Sequence, residues 1–295
     1  MKFYIFTLTI LINYNLLSQI SDITRFQNQN KTKECRESTP VVISENEILL
    51  FYCSGNLYDL NYLDNTIDTI YYSKSSNGGK SWGAPIFIIE LGKLITDNTQ
   101  GWYLTSLKTL SGRIILVWSD LYNRKINFMH SDDNGQTWSD SSSVKSISPS
   151  YNCNLSEIDS GRIWFSYNSF PGLQAKYLES TNNGETWSQD PVTFHSSFPA
   201  MKNLSFVKLT SKLLAFFDYG NTGIYYKEST DNGLSWSAEF PVVDSVEKEF
   251  NAKAIKFSDE ELWIVYLVGD EPQNQIPNDI YYVQSLMLEK PGPIL

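Results

Sequence analysis

An eight-residue motif recurs four times along the chain and constrains its fold more than any other feature. The motif is Ser-x-Asp/Asn-x-Gly-x-Ser/Thr-Trp, and its copies occupy residues 75–82, 131–138, 180–187 and 229–236. The tryptophans lie 56, 49 and 49 residues apart. A repeat of about 50 residues is typical of proteins built from one supersecondary unit used several times.

Each copy follows a run of β-branched and aromatic residues, and a second such run lies upstream of each copy. A fifth pair of runs appears at Leu262–Tyr266 and Ile280–Ser285, where the motif has decayed. About four short strands per repeat are typical of one propeller blade. The sequence therefore predicts an all-β fold, a β-propeller of antiparallel four-stranded blades with five recognisable units. A ring of six blades is the alternative.

The residue types of the motif suit a tight turn between the third and fourth strands of a blade. Glycine adopts backbone angles that other residues resist, and Asp, Asn and Ser side chains hydrogen-bond to nearby backbone groups. Tryptophan adds a large apolar ring that can pack over the hairpin. We therefore interpret the motif as structural. Its turns are predicted on one face of the propeller, and the loops that join strands two and three, like those that join successive blades, on the opposite face.

That opposite face is where long loops, the usual carriers of function, are predicted to lie. Its predicted rim is rich in aspartate, including Asp218, and three rim aspartates are candidate catalytic carboxylates: Asp59, Asp64 and Asp120. The candidate ligand-binding residues are Arg36, Trp102, Tyr103, Tyr151, Asn154, Asn203 and Tyr219. Asn154 and Asn203 are 49 residues apart and are predicted at matching positions on inner strands. The alternatives are that the aromatic residues pack between blades and that the aspartates merely reflect an acidic protein.

Composition excludes several function classes. The chain has 295 residues and a formal net charge of -10, which disfavours binding to a phosphate backbone, so we expect no nucleic-acid partner. With three cysteines, two histidines and no CxxC pair, we expect no metal site and no cofactor. Cys35 and Cys53 are predicted to lie on paired strands and to form a disulfide if the protein is exported.

The N-terminus has the pattern of an export signal. Lys2 precedes an apolar run from Phe3 to Ile12, and small or polar residues follow at Ser18 and Gln19. This pattern predicts a signal peptide over residues 1–19 and a propeller over residues 20–295 of a secreted, periplasmic or extracellular protein. An N-terminal strand or an uncleaved anchor is the alternative. No other apolar stretch is long enough for a stable membrane span.

The four motifs resemble the Asp box, or bacterial neuraminidase repeat, of the sialidase superfamily, over roughly residues 36–290. The resemblance implies a propeller, with six blades in sialidases themselves. It also implies three arginines that hold the substrate carboxylate, an Asp acid/base and a Tyr-Glu nucleophile pair. At the first arginine position this sequence has Ser38, and Arg36 lies two residues earlier; Asp59 or Asp64 falls roughly at the acid/base position. No arginine follows Arg162.

The sequence leaves three functions open. The first is a secreted propeller that binds glycans or glycoconjugates without sialidase activity. The second is a divergent exo-glycosidase that uses two carboxylates of the rim, which is chemically sufficient for glycoside hydrolysis. The third is a structural or protein-binding propeller. If the protein is an enzyme, the resemblance implies a glycoside hydrolase.

Overall fold

The computed structural model describes residues 34–55, 68–92, 103–120, 124–145, 150–169, 174–197, 199–219, 223–242, 249–256, 258–259, 261–268 and 279–285. The chain divides into two compact units, Met1–Ser146 and Ile147–Leu295. Throughout the described ranges the regular structure is strand. The same ranges hold no helix of the length and apolar character needed to cross a bilayer.

Unit 1 contains two antiparallel sheets of four strands, each in sequential order. The first consists of β1 (Glu34–Val42), β2 (Ile48–Gly55), β3 (Asp68–Ser75) and β4 (Ile86–Gly92). The second consists of β5 (Tyr103–Lys108), β6 (Ile114–Asp120), β7 (Lys125–Ser131) and β8 (Ser142–Lys145). The first strands of the two sheets, β1 and β5, lie side by side.

Unit 2 contains three antiparallel sheets, again with strands in sequential order. They are β9 (Ser150–Asp159), β10 (Arg162–Ser169), β11 (Gln174–Ser180) and β12 (Val192–His195); β13 (Lys202–Lys208), β14 (Leu213–Asp218), β15 (Ile224–Ser229) and β16 (Phe240–Pro241); and β17 (Glu249–Lys256), β18 (Leu262–Val268) and β19 (Asp279–Ser285). Strand β13 lies beside both β9 and β17. The first strand of each sheet is therefore its inner strand.

The predicted fold class is confirmed. The chain is all-β and forms five successive antiparallel blades of a β-propeller, the number of units counted from the sequence. The fifth blade contributes three strands to the described part of the chain.

The second strand of each blade forms the densest part of the core. All seven residues of β6 and all six of β14 are buried, on both faces of their sheets. A strand that is covered on both faces is expected to be apolar throughout, rather than alternating. Fully burying one side chain such as Phe216 contributes about 1.5–3 kcal/mol, so these strands are a principal source of stability.

The four Asp boxes form the predicted turns after the third strands. In the second box, the Ser131 hydroxyl accepts the Gly135 N–H at 2.8 Å and donates to Asp133 Oδ1 at 2.8 Å. Asp133 in turn accepts the backbone N–H and the hydroxyl of Thr137, at 2.8 and 2.6 Å. The fourth residue of each box is left-handed, with φ of 69° at Gly78, and of 57°, 58° and 58° at Asn134, Asn183 and Asn232.

Box turns also pack against the preceding blade. In unit 1, the Tyr72 hydroxyl donates to the Gly135 carbonyl at 3.1 Å. The ring of Trp138 meets the ring of Phe51 edge-on, with centroids 5.6 Å apart. A Cβ on Gly135 would stand 2.9 Å from a methyl group of Leu49. The box is thus a blade-to-blade contact as well as a turn, and its structural role is supported.

The register of the first sheet does not favour the predicted disulfide. Strands β1 and β2 pair as expected, but Cys35 lies opposite Ser54 and Cys53 lies opposite Arg36. The two cysteines are offset by one residue from a directly facing pair. Successive residues of a strand point to opposite faces, so a disulfide between paired strands favours directly opposite positions over positions offset by one residue.

Candidate functional site

The Asp boxes mark one end of each blade, and polar residues of the inner strands lie at the other. The Asn183 N–H donates to the Gly161 carbonyl at 2.8 Å, which joins a box to the turn between the first two strands of its own blade. The Gly78 N–H makes the equivalent bond to the Asn46 carbonyl at 2.9 Å. Inner strands therefore start at the end away from the boxes, as the topology argument predicts.

Each inner strand of unit 2 carries an asparagine in the left-handed conformation near its start. The φ angles are 51° at Asn152, 53° at Asn203 and 55° at Asn251. At each one the pairing with the second strand shifts register, which is the signature of a β-bulge. Asparagine tolerates this conformation better than most residues do. The bulges place three side-chain amides at matching positions on adjacent blades.

This alignment corrects the pairing of asparagines expected from the spacing of 49 residues. Asn203 matches Asn152 and Asn251 in conformation, whereas Asn154 lies after the bulge, opposite Ser166. The residue that matches Asn154 in the fifth blade is Lys253, opposite Val265. The matching asparagines recur at intervals of 51 and 48 residues, so an assumed interval of 49 aligned Asn203 with Asn154 instead of Asn152.

The amides of the fourth and fifth blades converge on a buried carboxylate. Asn203 Nδ2 donates to Asp218 Oδ2 at 2.7 Å and to Asn251 Oδ1 at 2.9 Å. The backbone N–H of Asn251 donates to the same Asp218 oxygen at 3.1 Å. The Asp218 side chain has no exposed surface. A buried carboxylate needs such donors, because burial without hydrogen bonds is costly.

The third blade joins the same network. Asn152 Nδ2 donates to Asn168 Oδ1 at 3.2 Å, and Asn168 Nδ2 donates to the Met201 carbonyl of the fourth blade at 2.5 Å. Asn154 Nδ2 donates to the Leu204 carbonyl at 3.3 Å. We call this group the amide band, defined by Asn152, Asn154, Asn168, Asn203, Asp218, Asn251 and Lys253.

Lys253 links the fifth blade to the third. Its ammonium donates to Asn154 Oδ1 at 3.0 Å, between residues 99 positions apart in sequence. The side chain keeps accessible surface, yet the surrounding protein is dense enough to lower the pKa of its amine by desolvation.

A second buried carboxylate lies on the inner strand of the fifth blade, two residues before Asn251. Glu249, at the start of β17, is only 2% exposed. A Cβ on Gly223 would lie 3.5 Å from the Tyr225 hydroxyl and 3.7 Å from Glu249 Oε2. Gly223 has a φ of 114°, a conformation that favours glycine.

The structure brings only part of the predicted site together. Asn154 and Asn203 belong to the amide band. Asp120 is buried at the end of β6 in unit 1, opposite Lys125. Asp59, Asp64 and Trp102 lie outside the described residues.

The remaining predicted residues are spread over other elements. Arg36 pairs with Cys53 on the first sheet, and Tyr103 begins β5 opposite Ser119. Tyr151 lies on β9 opposite Asn168, next to the band in sequence. The structure describes the backbone of Arg36 and Tyr151 but not their side chains.

Tyr219 packs in an aromatic cluster instead of joining the band. Its ring centroid lies 5.5 Å from those of Phe217 and Tyr225 and 5.9 Å from that of His195. The hydroxyl donates to Glu239 Oε2 at 2.7 Å. Burial and the Glu239 carboxylate raise the pKa of Tyr219 above its ordinary value. Its described contacts fit the packing alternative.

The two described arginines that precede second strands lie at the box end. Arg113 forms a two-pronged ion pair with Asp132, at 2.7 and 2.9 Å. Arg162 donates to Glu179 at 2.5 Å and lies over the Trp164 ring at 5.1 Å from its centroid. Each guanidinium group therefore contacts an acidic side chain at the box end of its own blade.

Sequence reasoning missed most of the band as a site. In the sequence, Asp218 is one of several predicted rim aspartates, and no pattern distinguishes Lys253 or Glu249. One signal was available: Asn152, Asn203 and Asn251 recur near the starts of inner strands at intervals of 51 and 48 residues.

Comparisons with known proteins agree with this architecture. The family model described as BNR/Asp-box repeat matches residues 129–140. No curated protein matches the sequence. A protein of unknown function from Dyadobacter fermentans is similar in structure, with a TM-score of 0.66 and 16% identity, over 87% of this chain and 80% of that one.

Two sialidase structures are also similar. NanB sialidase from Streptococcus pneumoniae matches with a TM-score of 0.54 and 17% identity, over 74% of this chain and 36% of its own. Trypanosoma rangeli sialidase, solved as a covalent intermediate with 2,3-difluorosialic acid, matches with a TM-score of 0.56 and 15% identity, over 85% and 44%. This chain thus spans less than half the length of either sialidase.

The repeated boxes and the sequential antiparallel blades define an Asp-box β-propeller. More particularly, this chain is a five-bladed propeller that carries the BNR/Asp-box repeat and has the sialidase-like fold.

Proposed function

We propose that this propeller binds glycans through the amide band of unit 2 and does not cleave sialosides. The observation that carries the proposal is the Asn203 amide, held between Asp218 and Asn251 at 2.7 and 2.9 Å. Amides, a carboxylate and an amine offer the mix of donors and acceptors that sugar hydroxyls require. Three blades supply these groups from rigid strands, which lowers the entropic cost of binding.

The arginine content supports the second half of the proposal. Recognition of a carboxylate by two parallel hydrogen bonds favours arginine because of its planar fork. Unit 2 has one arginine, Arg162, and its contacts are with Glu179 and Trp164. The band presents an amine and amides in place of guanidinium groups, which suits neutral sugars.

We also propose that the protein functions outside the cytoplasm. The support is the N-terminal pattern of Lys2 followed by an apolar run, with residues 1–19 as signal peptide and residues 20–295 as propeller. Mass measurement of protein recovered from the export compartment is expected to place the mature N-terminus near Ser18 or Gln19. Recovery of the full-length chain, starting at Met1, would contradict this.

The binding proposal is tested by a glycan array followed by titration of the best ligand against variants. Asn203→Gly and Asn251→Gly keep the left-handed backbone and remove only the side-chain amides. Each change is expected to weaken binding about 10- to 100-fold, the effect of losing a hydrogen bond in a network with a charged group. Asn134→Gly is the matched control. Asn134 also has a left-handed backbone, with a φ of 57°, but it lies in a box turn, at the position that Gly78 occupies in the first box.

Unchanged affinity in both band variants, or an equal loss in the control, would contradict the binding proposal. Thermal melting of all three proteins shows whether the fold is preserved. Absence of any glycan hit on an array of broad composition would also count against it.

A second candidate function is supported by the two buried carboxylates, Asp218 and Glu249. A pair of carboxyl groups is sufficient for glycoside hydrolysis when one acts as acid and the other as base or nucleophile. A panel of chromogenic glycosides tests this candidate. Turnover that disappears in both Asp218→Asn and Glu249→Gln, with the fold intact, would favour a glycosidase over a binding protein.

A further inference from the structure

Every Asn-Gly pair in the chain lies in an Asp box. The pairs are Asn77-Gly78, Asn134-Gly135, Asn183-Gly184 and Asn232-Gly233. Asparagine is one of the thermolabile residues of proteins, and glycine has no Cβ to shield its backbone nitrogen from the preceding side chain. The motif thus places a dipeptide that is easily lost to deamidation in four turns of the fold.

Deamidation of such a pair is an intramolecular reaction followed by hydrolysis. The glycine nitrogen loses its proton to hydroxide and attacks Cγ of the asparagine. The Cγ–Nδ2 bond breaks, Nδ2 takes up a proton from water and leaves as ammonia, and a five-membered succinimide remains. Water then opens the ring to aspartate or to isoaspartate, whose backbone passes through the former side chain. The reaction therefore requires a glycine nitrogen that can lose its proton and move.

In three of the boxes, the first serine of the box binds this nitrogen. The serine hydroxyl accepts the glycine N–H in the pairs Ser131–Gly135, Ser180–Gly184 and Ser229–Gly233, at 2.8, 2.9 and 2.8 Å. The three serines are only 1–2% exposed. Removing the proton would break this bond and leave a charged nitrogen in buried surroundings, which is costly. The hydrogen bond thus opposes the first step of deamidation.

The carbonyl side of the box glycine is also held. The Gly135 carbonyl accepts the Tyr72 hydroxyl at 3.1 Å, and the Gly184 carbonyl accepts Trp187 Nε1 at 3.2 Å. Both glycines are buried. Ring closure would have to move the glycine nitrogen towards the asparagine side chain, against hydrogen bonds on both sides of the residue.

The first box binds its glycine nitrogen by a different route. Its Asn-Gly pair lies one position earlier in the motif, so Ser75 accepts the N–H of Gly79, at 2.9 Å, rather than that of Gly78. The Gly78 N–H donates instead to the Asn46 carbonyl, at 2.9 Å. All four glycine nitrogens that could attack an asparagine therefore have an acceptor.

We propose that the box serine protects the motif chemically: by binding the glycine N–H, it prevents conversion of Asn134, Asn183 and Asn232 to aspartate and isoaspartate. These asparagines are modification sites that the fold keeps unreactive and that become reactive when the serine is lost. Isoaspartate adds a methylene group to the backbone, so its formation would disrupt the hydrogen bonds of the box. The proposal concerns the box end of the blades and does not depend on glycan binding by the amide band.

The test is incubation of the whole protein at mildly alkaline pH, followed by peptide mapping that separates asparaginyl, aspartyl and isoaspartyl peptides. In Ser131→Ala, conversion of Asn134 is expected to be at least about fivefold faster than in the wild type, the factor that corresponds to one hydrogen bond. Asn183 and Asn232 of the same variant are internal controls and are expected to react at the wild-type rate. Ser180→Ala is the reciprocal variant, with its effect expected at Asn183 alone.

Thr137→Ala is the matched control for loosening of the turn. It removes the 2.6 Å bond from the Thr137 hydroxyl to Asp133 and leaves the Gly135 N–H bound to Ser131. Thermal melting shows whether each variant is folded. An unchanged rate at Asn134 in Ser131→Ala would overturn the proposal. So would an equal acceleration in Thr137→Ala, because mobility of the turn would then set the rate.

Folded and urea-unfolded wild-type protein give a comparison that does not depend on any variant. The four pairs are expected to react at similar rates in the unfolded chain and at least about fivefold more slowly in the folded protein. Rates at Asn134, Asn183 and Asn232 that are equal in the two states would overturn the proposal, whether or not a glycan binds to the protein.

Discussion

Gly233 of the fourth box lies so close to Trp164 that a Cβ on the glycine would stand 2.5 Å from Cη2 of the indole. Trp164 is on the second strand of the preceding blade and is 1% exposed. Gly135 has the same relation to Leu49 in unit 1, at 2.9 Å. The box glycine is therefore required for two reasons: its backbone is left-handed, and the neighbouring blade leaves no room for a Cβ.

This relationship predicts that Gly233→Ala destabilises the protein by about 2–4 kcal/mol, the sum of backbone strain and overpacking against a buried ring. Gly112→Ala is the matched control, because Gly112 has a φ of 93°, against 92° at Gly233, with no atom within 4 Å of its missing Cβ. The control is expected to lose only about 1–2 kcal/mol. Denaturant unfolding of both variants measures the difference. Equal losses would show that the contact with Trp164 contributes nothing.

The box aspartates predict a specific dependence of stability on pH. Hydrogen bonds from Thr137 and Ser131 lower the pKa of Asp133 to about 2, and those from Ser235 and Ser229 do the same for Asp231. A carboxyl whose pKa falls on folding stabilises the protein when ionised. Its contribution is present above the unfolded-state pKa of about 4 and is lost as the pH falls towards 2.

The variant Asp133→Asn/Asp231→Asn is expected to fold normally at pH 7 and to lose less stability than the wild type between pH 4 and pH 2. Asn77 and Asn182 already occupy the same position in the other two boxes and accept the equivalent N–H at 2.9 Å. Thermal melting across this pH range, wild type against variant, gives the comparison. Parallel curves for the two proteins would contradict the assignment.

The box tryptophans are predicted to differ in how they tolerate loss of the indole N–H. Trp187 is 6% exposed, and its Nε1 donates to the Gly184 carbonyl at 3.2 Å. Trp187→Phe is expected to cost about 1 kcal/mol for the lost hydrogen bond, and Trp187→Ala about 3–5 kcal/mol for the lost ring. Among the described residues, the buried Nε1 of Trp138 has no hydrogen-bond partner, so Trp138→Phe is expected to cost less than Trp187→Phe.

Equilibrium unfolding of the three tryptophan variants measures these differences. A Trp138→Phe protein that is less stable than Trp187→Phe would show that the indole N–H groups do not decide the order. Wild-type stability in Trp187→Ala would show that the box tryptophan is not part of the core.

The purified protein is expected to show no appreciable hydrolysis of a fluorogenic sialoside between pH 4 and pH 8. No arginine follows Arg162 in the sequence, so the fourth and fifth blades cannot provide a guanidinium group for the substrate carboxylate. Turnover on the order of 1 per second or faster, lost on changing Asp59, Asp64 or Asp218 to alanine, would contradict this expectation.

The repeat by itself determined the fold class and the turns, and it favoured five blades with six as the alternative. Box spacing, strand-like runs and the residues of each box are local properties, and local hydrogen bonds such as Ser131 to Gly135 realise them directly. The same reasoning placed the arginines Arg113 and Arg162 at the box end, because strand alternation fixes which turns share a face.

Only the tertiary structure decided the composition of the candidate site. The left-handed asparagines Asn152, Asn203 and Asn251 lie 51 and 48 residues apart, so the interval between inner strands is not constant and spacing alone aligned Asn203 with the wrong partner. The contact between Lys253 and Asn154 joins residues 99 positions apart, in blades that are not adjacent in sequence. Such contacts depend on how whole blades pack, which no local pattern encodes.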